Sequence, residues 1–265
     1  MSGEAPPPRA AAVNAGHRIA VTVAGDDGAP TVLAVHGFAS DARAMWEQTG
    51  WLQTLQDAGL RVVAPDLRSH GESGTSAAAS DHTLAALVDD LAAVVSLHCP
   101  DVFHYLGYSL GARLGWEYSL RSTPAPRTLG LGGFSLADPF AGVDVDAIRQ
   151  ARAGDPPLDE RESALVAMMT ALPGNDVDAL CAVIEGVRGS DVAAGVPAVP
   201  TLVVNGSEDS LAPDGAALAG RLAQGTYVEV AGRTHRNAVT ARAFKSAVIA
   251  HIRAHDIAAL AFTSR

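Results

Sequence analysis

Gly107-Tyr108-Ser109-Leu110-Gly111 falls where the apolar run from Val102 to Leu106 gives way to a helix-like run from Ala112 onward. A serine set between two glycines at a strand-to-helix joint constrains this chain more than any other feature. A turn that sharp places the serine backbone in a sparsely populated φ/ψ region, at a cost of about 1–3 kcal/mol. Side chains two residues before and two after it would collide with the neighbouring strand and helix. Glycine has no Cβ, so Gly107 and Gly111 remove the collision. The joint would leave the Ser109 hydroxyl exposed at the carboxyl edge of a sheet, over the positive end of a helix. Taken alone, the pentapeptide also reads as a Gly-rich turn, so its partners elsewhere in the chain decide.

The rest of the chain supplies a matching rhythm. Strands are predicted over 18–24, 31–35, 61–64, 102–107, 127–132, 201–205 and 226–230. Helices are predicted over 43–58, 81–98 with Ser80 or Asp81 as cap, from the serine to about 121, over 214–223 and over 238–254. Short apolar strands alternating with amphipathic helices imply a mostly parallel sheet covered on both faces. Between residues 137 and 197 the alternation stops, and two or three helical segments are expected, over about 143–152, 158–171 and 175–187. The domain reading is a disordered leader over 1–14, an α/β core over 15–136 and 198–265, and a helical lid over 137–197.

Composition narrows the function classes. With 265 residues, 48 % hydrophobic and 18 % charged, the chain can bury a large core and is not globally disordered. Its net charge of −10 argues against nucleic acid or an anionic membrane surface as partner. No apolar run approaches the ~18 residues of a spanning helix, and the Pro- and Ala-rich start does not read as a signal peptide. Cys99 and Cys181 read as buried free thiols in a reducing compartment, so a cytoplasmic location is expected. Neither composition nor motif specifies an oligomeric state.

A nucleophilic serine needs a base, an acid to orient that base, and donors for an oxyanion. After Ser109, the carboxylates at a strand end are Glu208 and Asp209, which follow Leu202 to Gly206. His235 lies beyond the next strand, in Gly232-Arg233-Thr234-His235. All three positions fall at carboxyl ends of parallel strands, where sheets of this class assemble their sites.

Read together, these segments resemble the α/β-hydrolase family over nearly the whole chain. His36-Gly37-Phe38 resembles the family's oxyanion loop. Asp66-Leu67-Arg68-Ser69-His70-Gly71-Glu72-Ser73 resembles its D-x-R-G-H-G-x-S segment, with Ser69 in place of a glycine. Gly107 to Gly111 matches the nucleophile elbow, and Gly206-Ser207-Glu208-Asp209 with Pro213 matches the acid turn. His235 matches the base, although Thr234 replaces the glycine usual before it. The resemblance implies an α/β fold with a mostly parallel eight-stranded sheet, helices on both faces and a small helical lid inserted after strand 6. It implies Ser109 as nucleophile, His235 as base and Asp209 as acid, Asp209 being preferred to Glu208 because its spacing from Gly206 and Pro213 fits the motif. It also implies the backbone amides of Phe38 and Leu110 as oxyanion donors, each worth roughly 3 kcal/mol in a transition state.

Other residues carry weaker expectations. Trp46, Tyr108, Met168 and Met169 are candidate substrate contacts, with plain packing as the competing reading. His36 is expected to shape its loop, and His70 with Arg68 and Asp66 to form a turn network. His251 and His255 have metal-chelating spacing on a helix but no third ligand beside them, so a solvated helix face is expected. No metal and no organic cofactor is implied.

The chemistry implied is acyl transfer to water from a small or medium carboxylic ester, thioester or lactone. Serine rather than aspartate at the elbow disfavours haloalkane dehalogenase and epoxide hydrolase chemistry, in which a carboxylate attacks carbon. Low aromatic content argues against a lipase of oil–water interfaces. Three alternatives remain: C–C bond hydrolysis or perhydrolysis, a ligand-binding protein on the same scaffold, and elimination. The last follows the likeness of Gly107 to Arg113 to a menaquinone-pathway lyase, which would require carboxylate-binding arginines such as Arg149, Arg152, Arg161 or Arg188.

Overall fold

Thr31–Val35 (β3), Arg61–Pro65 (β4) and Phe103–Tyr108 (β5) are short runs in which nearly every residue is buried. Burial on both faces is what a central parallel strand demands. The computed structural model describes residues 9–99, 101–152, 158–190 and 195–256. Its eight strands add Arg9–Asn14 (β1), His17–Ala24 (β2), Leu129–Gly132 (β6), Thr201–Gly206 (β7) and Gly225–Val230 (β8). They form one sheet in the order β1-β2-β4-β3-β5-β6-β7-β8, antiparallel at β1/β2 and β2/β4 and parallel elsewhere.

The strand order reverses at β3, which has β4 on one side and β5 on the other. A crevice therefore opens at the carboxyl ends of β3 and β5, the place where open α/β sheets collect ligands. Parallel register sets Val35 opposite Gly107, so the residues after each, His36 to Phe38 and Tyr108 to Leu110, emerge side by side.

Alternation along each strand divides the core in two. Leu33, Val35, Val63, Phe103 and Tyr105 face one side, covered by Leu84–His98 (α2), Leu110–Arg121 (α3) and Val177–Val187 (α6). Val32, Ala34, Val62, Leu106 and Tyr108 face the other, covered by Trp51–Asp57 (α1) and Arg242–His255 (α8). Between β6 and β7 stand Val145–Arg152 (α4), Glu160–Met169 (α5) and α6, all helical as expected. Residues 153–157 and 191–194 of that stretch lie outside the described residues. A five-residue helix, Gly215–Ala219 (α7), joins β7 to β8, shorter than the 214–223 expected. Among the described residues no helix is long and apolar enough to cross a membrane.

Four local expectations need correction. Residues 9–14, read as part of a disordered leader, form β1, because six consecutive residues find partners on β2. Residues 1–8 lie outside the described residues. The predicted 43–58 helix is two pieces, a π-helical turn at Arg43–Glu47 and α1, broken where Gly50 turns left-handed at φ 72°. Helix α2 is capped by Thr83, whose hydroxyl accepts the Ala86 amide, and not by Ser80 or Asp81. His251 is buried beneath α8, with a ring nitrogen 3.3 Å from the Pro200 carbonyl oxygen, so this helix face is not solvated at that point.

Candidate active site

The turn between β5 and α3 has the strain its sequence implies. Ser109 sits at φ 54°, ψ −116°, a conformation L residues rarely adopt. A Cβ on Gly107 would strike the Gly111 carbonyl, and one on Gly111 would strike the carbonyl oxygens of Val35 and His36. The two glycines let β3, β5 and α3 converge on the serine. The Ser109 amide donates to the Gly132 carbonyl at 2.8 Å and pins the turn to β6.

Asp209 and His235 arrive on two loops held against each other. After β7, the Glu208 amide donates to the Arg233 carbonyl at 2.9 Å, and the Ser207 hydroxyl accepts the Gly232 amide at 2.8 Å. Gly206 passes so close to the Arg233 carbonyl that no side chain fits there. This brings Asp209, after β7, to His235, after β8. His235 Nδ1 lies 2.9 and 3.0 Å from the two Asp209 carboxylate oxygens, and its Nε2 lies 3.0 Å from the Ser109 hydroxyl. The carboxylate fixes the tautomer: Nδ1–H donates to Asp209, which leaves Nε2 to accept the serine proton. The Asp209 side chain is fully buried and also accepts the Leu211 amide, while Glu208 is exposed. The arrangement can draw a proton from a hydroxyl and stabilise the resulting imidazolium beside a buried carboxylate.

Ser109 and His235 open into a cavity of about 440 Å³ lined mainly by apolar side chains. Phe38 and Leu110 both line it, and neither amide donates to a turn, loop or cap partner among the described residues. Tyr108 and Met168 line it too. Trp46 does not: it is fully buried and packs edge-on against Trp51, while its neighbour Met45 reaches the cavity. Met169 is also fully buried among core residues, one position and about 100° around α5 from Met168. Residues not singled out from sequence complete the wall, notably Phe140, Leu211, Arg236 and Val239. Arg236 had a positional signal, its place beside His235; the others depend on how distant segments pack.

The histidines near the site are structural. His36 Nδ1–H donates to the Gly37 carbonyl at 2.8 Å and its Nε2 accepts the Leu67 amide at 2.9 Å. Burial lowers its pKa, which suits a neutral ring bridging two loops. His70 donates to the Arg68 carbonyl, and burial pushes it down to about 3. Asp66 accepts the Ala42 and Glu72 amides, and Arg68 makes a two-point ion pair with buried Asp90. Ser69, standing where the motif has glycine, takes φ 64°; its hydroxyl compensates by bonding His82 and the Ser76 amide. Of the arginines between β6 and β7, Arg149 is held by Glu185 and Arg188 donates to the Val143 carbonyl. Arg161 lines the cavity, and the Arg152 side chain lies outside the described residues. Cys99 and Cys181 are both buried, as expected. Among the described residues no group of three or more His, Cys, Asp or Glu is arranged to hold a metal ion.

Residues 30–127 match the family described as alpha/beta hydrolase fold. Epoxide hydrolase A of Mycobacterium tuberculosis is 33 % identical over 105 residues, which cover 40 % of this chain and 32 % of that protein. The alignment thus spans about a third of the curated relative's length. Among solved structures, a hydrolase from Pseudomonas aeruginosa PA01 superposes with a TM-score of 0.74 at 23 % identity, covering 95 % of this chain and 99 % of that one. The enol-lactonase of Burkholderia xenovorans LB400 gives 0.73 at 22 %, covering 93 % and 100 %. Matched sequence over β3 to α3 and matched architecture over nearly the whole chain agree: this protein has the α/β-hydrolase fold.

Proposed function

We propose that this protein is a serine hydrolase that cleaves a small or medium carboxylic ester, thioester or lactone through an acyl-enzyme. The observation that carries the reading is the continuous relay from the Ser109 hydroxyl through His235 to Asp209, with links of 3.0 and 2.9 Å, opening into a largely apolar cavity. Ser109 Oγ attacks the carbonyl carbon as its proton passes to His235 Nε2. The carbonyl oxygen becomes an oxyanion and receives the Phe38 and Leu110 amides. Collapse of the tetrahedral intermediate breaks the carbon–oxygen or carbon–sulfur bond, and His235 returns the proton to the leaving group. Water then attacks the acyl-enzyme by the same route, freeing the acid and Ser109.

Epoxide opening through an alkyl-enzyme ester needs a carboxylate where this chain has Ser109, so the epoxide hydrolase likeness does not extend to that step. Of the arginines that carboxylate-binding lyase chemistry would use, Arg149 and Arg188 are engaged elsewhere and Arg161 lines the cavity. The helical stretch 137–197 serves as the lid, since Phe140, Arg161, Leu165 and Met168 from it wall the cavity. Buried thiols suit a reducing, cytoplasmic setting. The test is release of nitrophenol from short-chain nitrophenyl esters, with covalent labelling by a fluorophosphonate located by mass spectrometry. Turnover and a label on Ser109, both lost in Ser109→Ala, are expected. Turnover that survives Ser109→Ala excludes the mechanism, and tight ligand binding with no turnover would identify a binding protein instead.

A further inference from the structure

The ionisable side chains on the cavity wall are out of balance. Besides His235 and Tyr108 they are Arg161, Arg236, one carboxylate, Asp138, and Arg113, which is engaged with the Ser190 carbonyl. The chain as a whole has the opposite sign, with 29 acidic against 19 basic residues. Asp138 is already engaged: its Oδ1 accepts the Phe140 amide at 2.9 Å and its Oδ2 the Gly189 amide at 2.7 Å. The Arg161 fork donates to the carbonyls of Ala141 and Pro139, which hold it in place without cancelling its charge. Arg236 follows His235 directly and is exposed. Among the described residues no carboxylate lies within ion-pair distance of Arg161 or Arg236.

Building on the serine-hydrolase reading, we infer that the natural substrate carries a carboxylate, separated by a short apolar spacer from the scissile carbonyl, and that Arg236 and Arg161 receive it. Filling the cavity with a neutral substrate would displace water from cationic groups and give nothing in return. A carboxylate supplies the missing charge and fits the planar guanidinium fork. A monoanion suits an otherwise apolar cavity better than a dianion, whose desolvation costs more. Positive charge in a cleft with low-dielectric walls also draws an anion toward the mouth, against the repulsion of an acidic surface.

The experiment compares 4-nitrophenyl hydrogen glutarate with neutral 4-nitrophenyl butyrate. In wild type kcat/KM is expected to favour the anionic ester at least tenfold at low salt, with the preference shrinking as salt rises. Arg236→Gln, an exposed site where misfolding is not expected, should lower kcat/KM for the anionic ester about tenfold and pull the ratio toward one. Ser109-dependent hydrolysis of both esters at equal efficiency overturns the inference and leaves the hydrolase reading standing. Equal losses on both esters in Arg236→Gln also overturn it, since the arginine would then serve the reaction generally. A binding measurement separates the two readings where neither ester turns over. Monomethyl adipate should bind Ser109→Ala protein at least tenfold more tightly than methyl hexanoate, and more weakly once Arg236→Gln is added. Equal binding of the two overturns the inference whatever the enzymology.

Discussion

The Tyr108 hydroxyl donates a 2.6 Å hydrogen bond to the main-chain carbonyl of His235. The residue before Ser109 thus holds the loop that carries His235. The rings are 5.5 Å apart, and Gly133 lies so near both that a Cβ there would sit 2.9 Å from Tyr108 and 3.0 Å from His235. Tyr108 is buried on the α1/α8 side of the sheet against Phe244, so the tether is anchored in the core. Burial, with the Asp209 charge adding to it, raises the Tyr108 pKa and keeps the phenol a donor.

Tyr108→Phe removes this tether and keeps the ring. Loss of one buried hydrogen bond should cost about 1 kcal/mol of stability. The expected kinetic effect is larger on kcat than on KM, about tenfold on kcat for a nitrophenyl ester. Steady-state kinetics alongside thermal melts checks this; an unchanged kcat would show that the His235 loop holds its place unaided.

Asp209→Asn tests the tautomer argument. The amide can offer Nδ1 a donor, which favours the ring with Nε2 protonated and unable to accept from Ser109. A fall of about 10³–10⁴ in kcat is expected with fluorophosphonate labelling slowed in parallel. Glu208→Gln, at an exposed position, should change kcat by less than threefold.

Gly111→Ala sets helix propensity against packing. Alanine is favoured over glycine inside a helix by about 1 kcal/mol. Here its Cβ would meet the backbone oxygens of Val35 and His36, which cannot move without parting β3 from α3. Net destabilisation of about 3 kcal/mol or more is expected, read as a lower denaturant midpoint, together with loss of activity.

Buried neutral histidines predict the acid limb of stability. Burial pushes His70 down to about 3, and His104 and His251 to about 4, from an ordinary value of 6.5. Between those values and 6.5 the unfolded chain binds more protons than the folded one. Stability is therefore full above about pH 6.5 and falls as the pH drops toward 4, by up to about 1.4 kcal/mol per pH unit for each group. Urea midpoints at pH 7.5, 5.5 and 4.5 should decline in that order, and His104→Gln should make the decline shallower. A midpoint independent of pH over this range would contradict the burial argument.

Much of this architecture was legible before folding, for reasons that are local. Thr31–Val35 reads as a buried strand because every side chain is apolar or β-branched, and it is one. The elbow was legible because no arrangement but glycine on either side of Ser109 fits so tight a joint. Asp209 and His235 were singled out by motif spacing, Asp209 being preferred to Glu208 the same way, and folding sets both beside Ser109. Other features depend on neighbours far along the chain. β1 is an alanine-rich segment of weak intrinsic preference that becomes a strand only by pairing with β2. The choice of Met168 over Met169, and of Met45 over Trp46, as cavity wall is a matter of helix rotation, which periodicity alone does not fix to one residue. The sign of the cavity wall is of the same kind. Arg113, Arg161 and Arg236 come from α3, from α5 and from the loop after β8, so their common charge exists only once packing has brought those elements around Ser109. Backbone sterics and local pattern determined the scaffold and the three side chains that meet at its edge; long-range packing decided the walls around them and the charge they present.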